Sequence, residues 1–174
     1  ELARDPVVEA HAEGEEETVL RAVQTVVDEG LARPILIGRP AVIERRIEKL
    51  GLRLKQGDDF ELTNLDDDPR FNDYWQHYHQ IMARRGVSPA AAKAIVRSRG
   101  TVVAALMVKR GEADAMLCGI VGKYQGKLKH VLDAVAGGSF SPEEPGRYRG
   151  LVDSLLWGGD HYLLLADYAA YVET

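Results

Sequence analysis

The fold is decided by the stretch Pro34-Ile35-Leu36-Ile37-Gly38-Arg39-Pro40. Its first five residues form a short, continuously apolar run, which is typical of a strand buried on both faces of a parallel sheet. Pro40 then opens a helix, because proline is favoured at the first helical position. A second run of the same kind spans residues 113–120. Together these two runs predict an α/β domain.

Helical patterns fill the sequence around these strands. One begins at the acidic run 13–17 and ends at Gly30, and the next runs from Pro40 to Gly51. The remaining elements are expected as a short strand around residues 60–65, helices starting at Asp68-Pro69 and Ser88-Pro89, a helix ending by Gly111 and a helix after Gly122. Because strands and helices alternate with short connections, we predict a doubly wound, mostly parallel sheet.

The composition is that of a globular protein of ordinary domain size. The chain has 174 residues, of which 45% are hydrophobic and 28% charged. Its net charge of −5 lacks the basic excess that nucleic-acid binding requires. No apolar run approaches the length of a membrane span, and no charged-apolar leader opens the chain, so a cytoplasmic protein is expected. The single Cys118 excludes an intrachain disulfide framework and a thiolate-rich zinc site.

The character of the sequence changes near residue 136. Gly137-Gly138 interrupts the pattern, and residues 137–174 carry six acidic and two basic residues, a net charge of −4. Ser141-Pro142 is expected to cap a helix with an apolar face within 148–156, and the chain ends as if cut. We therefore predict two parts, an incomplete α/β lobe at 1–136 and a helical tail at 137–174. If the lobe leaves the apolar face of the tail uncovered, a homo-oligomer is expected.

One element has the features of an anion site. Gly119 and Gly122 follow the second predicted strand and precede a helix, so their backbone N–H groups are placed to cradle a phosphate. Lys123, Lys127 and His130 recur on that helix at spacings of four and three, which forms a basic stripe. The alternative is a solvated basic face, because turns from a strand through glycine into a helix are common and this one is not a full nucleotide fingerprint.

Other polar residues fit plainer interpretations. His77 and His79 are two apart on a helix and do not share a face, so a surface pair is favoured over a metal site. Cys118 in an apolar strand is expected to be a buried, inert thiol. The run 66–68 is expected to be helix-start acids, and no metal site is predicted. The acids at 13–17 fit either the mouth of a cleft or the positive end of a helix.

Three segments carry a resemblance to a known family. They are Ala12-Glu13-Gly14-Glu15-Glu16-Glu17, residues 27–40 and residues 110–119. Together they resemble the phosphate acetyl/butyryltransferase family, in particular the phosphotransacetylase-like C-terminal domain of bacterial NADP-dependent malic enzymes. Asp67-Asp68-Pro69-Arg70-Phe71 and Arg84-Arg85-Gly86-Val87 also fit that domain. The similarity covers most of residues 7–135.

This resemblance implies a three-layer α/β fold and an ancestral site for acyl-CoA and phosphate. In malic enzymes the domain is thought to bind acetyl-CoA as a regulator. Lys129 stands where the family usually carries arginine, and an arginine near Arg84 and Arg85 is expected to face the cleft. The alternative for Arg84 and Arg85 is favourable placement of cations at a helix end. The family builds its cleft between two lobes, and the sequence that follows the first lobe in the family is absent here.

The tail carries a second resemblance. Ser139-Phe140-Ser141-Pro142-Glu143-Glu144-Pro145-Gly146-Arg147-Tyr148 and residues 159–168 are similar to a stretch near the C-terminus of bacterial glycogen phosphorylases. This similarity covers about residues 131–174, since Val131-Leu132-Asp133-Ala134 fits either family. It implies a chimeric chain. The tail includes no lysine motif of the kind that binds pyridoxal phosphate in phosphorylases, so no phosphorylase chemistry is expected.

These observations leave three functions. The first is a non-catalytic, phosphotransacetylase-like domain that binds acetyl-CoA or another small anion through Gly119, Gly122, Lys123, Lys127, Lys129, Arg84 and Arg85. The second is an acyltransferase that needs segments from a partner chain. The third is a chimeric, designed or truncated structural protein with neither ligand nor activity. No catalytic residue and no resident cofactor are predicted.

Overall fold

The computed structural model describes residues 6–135. A four-stranded parallel sheet lies at its centre, in the order β3-β2-β1-β4. The strands are β1 (Val7–His11), β2 (Ala32–Ile37), β3 (Glu61–Thr63) and β4 (Ala115–Leu117). In the register, Ala10 of β1 lies opposite Ile35 of β2 on one side and Met116 of β4 on the other. The prediction of a parallel sheet is confirmed.

The sheet is sandwiched between two layers of helices. On one face lie α1 (Glu17–Asp28) and α2 (Pro40–Leu50). On the other lie α3 (Phe71–Met82), α4 (Pro89–Ser98), α5 (Gly100–Lys109) and α6 (Tyr124–Val135), with a 3-10 turn at Ala83–Arg85 after α3. Within β2, Ile35 and Ile37 pack against the second layer and Leu36 packs against the first. This alternation confirms the three-layer doubly wound fold.

Helix α5 is the centre of the larger layer. Every residue from Thr101 to Met107 is buried, so this helix is apolar on all sides. Gly100 begins the helix against the end of β1, where a β carbon would overlap the Ala12 carbonyl oxygen. The absence of a side chain at this position therefore allows α5 to pack directly on the strand.

Local signals place most helix ends correctly. Pro40 opens α2, and Gly51 closes it in the left-handed conformation. Ser88 caps α4, because its hydroxyl accepts a hydrogen bond from the Ala91 N–H at 3.2 Å.

Two predicted boundaries are wrong. Helix α3 begins at Phe71 rather than at Asp68-Pro69, because the Asp68 carboxylate binds the Arg70 backbone N–H at 2.8 Å and also its guanidinium, within a turn. Strand β4 spans 115–117 rather than 113–120, because the chain turns away at Gly119, whose φ is 116°.

The predicted tail helix and the division at residue 136 lie outside the described residues and stay predictions. Among residues 6–135, no helix has the length and apolar content needed to cross a bilayer.

Candidate functional site

The strand order reverses between β1 and β4. The chain passes from β1 to β2 and β3 on one side and reaches β4 on the other, so the loops after β1 and β4 diverge at the carboxyl ends of these strands. In open α/β sheets, ligands bind in the crevice at such a switch point. The loops there comprise residues 12–16 and 118–123.

Glu13 crosses this switch point. Its Oε2 accepts hydrogen bonds from the backbone N–H groups of Gly119 and Ile120, both at 2.9 Å. Only 8% of the Glu13 side chain is exposed. The N–H groups predicted to cradle a ligand phosphate at Gly119 are therefore already bound to a carboxylate of the protein itself.

Lys127 of α6 neutralises this buried carboxylate. Its Nζ lies 2.7 Å from Glu13 Oε1, but outside hydrogen-bonding geometry, so the contact is an ion pair only. The same ammonium donates a hydrogen bond to Thr101 Oγ1 at 3.2 Å. Lys127 thus links the loop after β1 to the first turn of α5.

A cleft of about 360 Å³ opens beside this pair, between the start of α5 and the start of α6. Its walls include Arg99 and Thr101 on one side and Gly122, Lys123 and Lys127 on the other. Arg99 and Lys123 are exposed at its outer end. The cleft is therefore cationic, with one of its three charges paired internally.

His130 completes the wall of the cleft. Its Nε2 lies 2.8 Å from Arg99 Nη1, and because a guanidinium only donates hydrogen bonds, Nε2 is the acceptor. Burial and, secondarily, the charge of Arg99 lower the pKa of His130 below its ordinary value. The imidazole is therefore neutral at pH 7, and it orients Arg99 without cancelling its charge.

The structure brings together only part of the residue set predicted from sequence. Gly122, Lys123 and Lys127 line the cleft, and Gly119 lies in the loop held by Glu13. Lys129 is exposed on α6 and is not part of the cleft wall.

Arg84 and Arg85 lie elsewhere, in the 3-10 turn that follows α3. Arg85 Nη1 is 3.5 Å from Asp133 Oδ1. Asp133 is nine residues beyond Tyr124, the first residue of α6, which corresponds to about 14 Å along the helix. Arg85 is therefore paired outside the cleft that Lys123 lines.

The acidic residues at 13–17 fall into two groups with different partners. Glu13 contacts the cleft residue Lys127, whereas Glu15, Glu16 and Glu17 pair with α2 or the residue before it. Their partners are Arg39, Arg46 and Lys49, respectively. The hydrogen bond from Arg39 lowers the pKa of Glu15, so this carboxylate is ionised at neutral pH. It joins the loop after β1 to the loop after β2.

Cys118 follows the plainer interpretation. Burial raises the pKa of the Cys118 thiol to about 12, so it is protonated and inert at neutral pH, as predicted. Within residues 6–135, no group of three or more His, Cys, Asp or Glu side chains is arranged to hold a metal ion.

Sequence reasoning missed Arg99 and Thr101. The only local signal was an arginine directly before the glycine that opens a buried helix. Their approach to α6 depends on packing between segments about 30 positions apart.

The chain is similar in sequence to proteins of a known family over most of its length. The sequence model of the Phosphate acetyl/butaryl transferase family matches residues 5–139. The NADP-dependent malic enzyme of Escherichia coli is 60% identical over 112 residues, which is 64% of this chain and 15% of that protein. The phosphate acetyltransferase of Nitratidesulfovibrio vulgaris is 31% identical over 109 residues, which is 63% of this chain and 15% of that protein. The chain thus spans less than a fifth of the length of these relatives.

Solved structures share the fold. A phosphotransacetylase from Streptococcus pyogenes superposes with a TM-score of 0.64 at 22% identity, over 72% of this chain and 36% of that one. EutD phosphotransacetylase from Staphylococcus aureus gives 0.65 at 19% identity, over 74% of this chain and 38% of that one.

A second family model, Carbohydrate phosphorylase, matches residues 107–174. This range includes the tail that resembles glycogen phosphorylase, and it begins before residue 131, where that resemblance was expected to start. The two matches overlap at residues 107–139.

Proposed function

The chain belongs to the phosphate acetyl/butaryl transferase family, and we propose that its α/β lobe is a non-catalytic domain that binds acetyl-CoA or a related phosphate-bearing ligand. The observation that carries this proposal is the cationic cleft at the switch point, where Arg99, Lys123 and Lys127 converge. A phosphorylated ligand offers the negative charge that such a cluster attracts.

The cleft favours binding over turnover. Cys118, the nearest thiol, is protonated at neutral pH because burial raises its pKa to about 12. The His130 imidazole has its Nε2 occupied by Arg99 and its Nδ1 buried. Neither group is therefore placed to act as nucleophile or general base on a ligand in the cleft.

One observation supports a structural protein with no ligand as the second candidate. The Glu13 carboxylate already binds two backbone N–H groups and pairs with Lys127, so this part of the cleft is stable without any bound anion. The two candidates differ in whether the exposed cations Arg99 and Lys123 bind a ligand.

The melting temperature in the presence of acetyl-CoA separates these candidates. A ligand present at 100 times its dissociation constant adds about 2.7 kcal/mol of stability, which for a domain of this size raises the melting temperature by roughly 8 °C. We expect such a rise for the full chain at millimolar acetyl-CoA, and a smaller one with inorganic phosphate.

Charge-matched variants show whether the rise comes from the cleft. Arg99→Gln and Lys123→Gln are expected to reduce the shift, whereas Arg45→Gln removes an equally exposed cation from α2 and is expected to keep it. No shift in the wild type at millimolar acetyl-CoA would leave the structural protein as the answer.

A further inference from the structure

The contacts behind the Lys127 wall of the cleft have the construction of an anion site. Two backbone N–H groups, from Gly119 and Ile120, and the ammonium of Lys127 converge on one position. Adjacent N–H groups aimed at one point bind anions strongly, and a neighbouring cation adds to that attraction. Here the position is filled by the carboxylate of Glu13.

Glu13 is held there by more than one kind of contact. Its side chain is 92% buried, since 8% is exposed, and Lys127 is 26% exposed. Two hydrogen bonds of 2.9 Å and an ion pair of 2.7 Å offset the free-energy cost of burying this charge away from water. Glu13 is therefore a resident anion that a ligand must either displace or avoid.

The outer end of the cleft has a different charge balance. Arg99 and Lys123 are exposed there, and the contact of Arg99 with the neutral His130 leaves its charge uncompensated. A phosphate in the cleft therefore meets two uncompensated cations. It also lies near the negative charge of Glu13 behind Lys127.

We propose that Glu13 sets both the position and the affinity of anion binding in this cleft. Its carboxylate holds the Gly119 and Ile120 N–H groups and pairs with Lys127 from behind the cleft wall, so the anionic group of a ligand binds in the cleft between Arg99 and Lys123. Removing the charge of Glu13 frees Lys127 to act on the ligand and makes the cleft one unit more positive. This inference rests on the proposed function, because it assigns a selective role at the same cleft.

If Glu13 acts on the ligand through its charge, removing that charge strengthens anion binding. A purely structural role for Glu13 predicts no such increase in affinity. Glu13→Gln keeps the length of the side chain and an amide oxygen that accepts the Gly119 and Ile120 N–H bonds. It removes the negative charge opposite Lys127. We expect phosphate and acetyl-CoA to bind about tenfold more tightly to this variant at low salt, the order expected for one unit charge acting near a partly exposed anion.

Lys127 provides the complementary variant. In Lys127→Met the carboxylate of Glu13 loses its cation and stays in the cleft, so anion binding is expected to weaken by about tenfold through the same Coulomb effect. The double variant Glu13→Gln/Lys127→Met removes both charges and is expected to return close to the wild-type affinity. Glu17→Gln removes an exposed acid paired with Lys49 and serves as the control that leaves affinity unchanged.

Isothermal titration of the full chain with inorganic phosphate and with acetyl-CoA tests the proposal. Tighter binding by Glu13→Gln than by the wild type supports it. If Glu13→Gln fails to fold, tighter binding by the double variant than by Lys127→Met supports it, since these two proteins differ only at Glu13. If the wild type binds while Glu13→Gln binds equally or more weakly, or while the double variant binds no more tightly than Lys127→Met, this inference is overturned and the proposed function stands. If neither the wild type nor any variant binds either probe, both fall together.

Discussion

Gly100→Ala is expected to destabilise the protein by about 3 kcal/mol, at the upper end of the usual cost of overpacking. The added β carbon would overlap the Ala12 carbonyl oxygen and lie 3.3 Å from Ile37 Cγ2. The first of these contacts is with backbone, so rotation of a side chain cannot relieve it. Helix α5 must instead move away from β1, and its buried position transmits that movement through the core.

Urea denaturation followed by circular dichroism measures this loss as a change in the free energy of unfolding. Gly126→Ala is the matched control, because Gly126 lies in α6 with no heavy atom within 4 Å of the position of its β carbon. That change is expected to be neutral or to stabilise by up to about 1 kcal/mol, as alanine favours helix. Equal stability of Gly100→Ala and the wild type would contradict the packing of α5 on β1.

Leu106→Ala is expected to cost about 2 to 5 kcal/mol. Leu106 is fully buried at the centre of α5, surrounded by the core cluster that joins the sheet to the helices of the larger layer. Removing three carbon atoms there loses transfer free energy and leaves a cavity that the neighbouring elements cannot fully close. For a domain with a total stability of roughly 5 to 15 kcal/mol, this is a large fraction.

Leu31→Ala provides the control for the same chemical change. Leu31 lies between α1 and β2 with 59% of its surface exposed, so the expected cost is within about 0.5 kcal/mol. Both midpoints are read from urea denaturation with the slope checked against that of the wild type. A Leu106→Ala protein as stable as Leu31→Ala would mean that α5 is not the buried centre of the fold.

The fold was predictable where the signals are local. Ile35, Leu36 and Ile37 are apolar in succession because both faces of β2 are covered, and this pattern is visible in sequence alone. Pro40 and Gly51 mark the two ends of α2 through their own backbone preferences. The end of β4 was not predictable in this way, because the loop from Gly119 is held by a residue 106 positions away.

The candidate site was predictable only in part for the same reason. Gly122 and Lys123 precede α6 and Lys127 lies in its first turn, and the spacing of the two lysines indicates a common face. Arg99 reaches the cleft from the residue before α5, and Glu13 reaches the wall residue Lys127 from the loop after β1. Pairings of this kind are set by the order of strands in the sheet, which periodicity does not specify. Arg84 and Arg85 were selected by resemblance, and the structure places Arg85 against Asp133.

The second family match bears on the origin of residues 137–174. The Carbohydrate phosphorylase match covers residues 107–174, and its first part falls within α5, β4 and α6 of the lobe. Residues 131–134 of α6 fall within both family matches. A chimeric origin for the chain therefore stays a prediction.

Binding of a phosphate-bearing ligand in the cleft between the starts of α5 and α6 is best tested by amide chemical-shift mapping of the 15N-labelled chain during titration with acetyl-CoA. We expect the largest shifts at Arg99, Thr101, Gly122 and Lys123, with smaller ones at Gly119 and Ile120, whose N–H groups stay bound to Glu13. Unchanged shifts at Gly122 and Lys123 at millimolar ligand, or shifts confined to α2, would show that the ligand does not bind in this cleft.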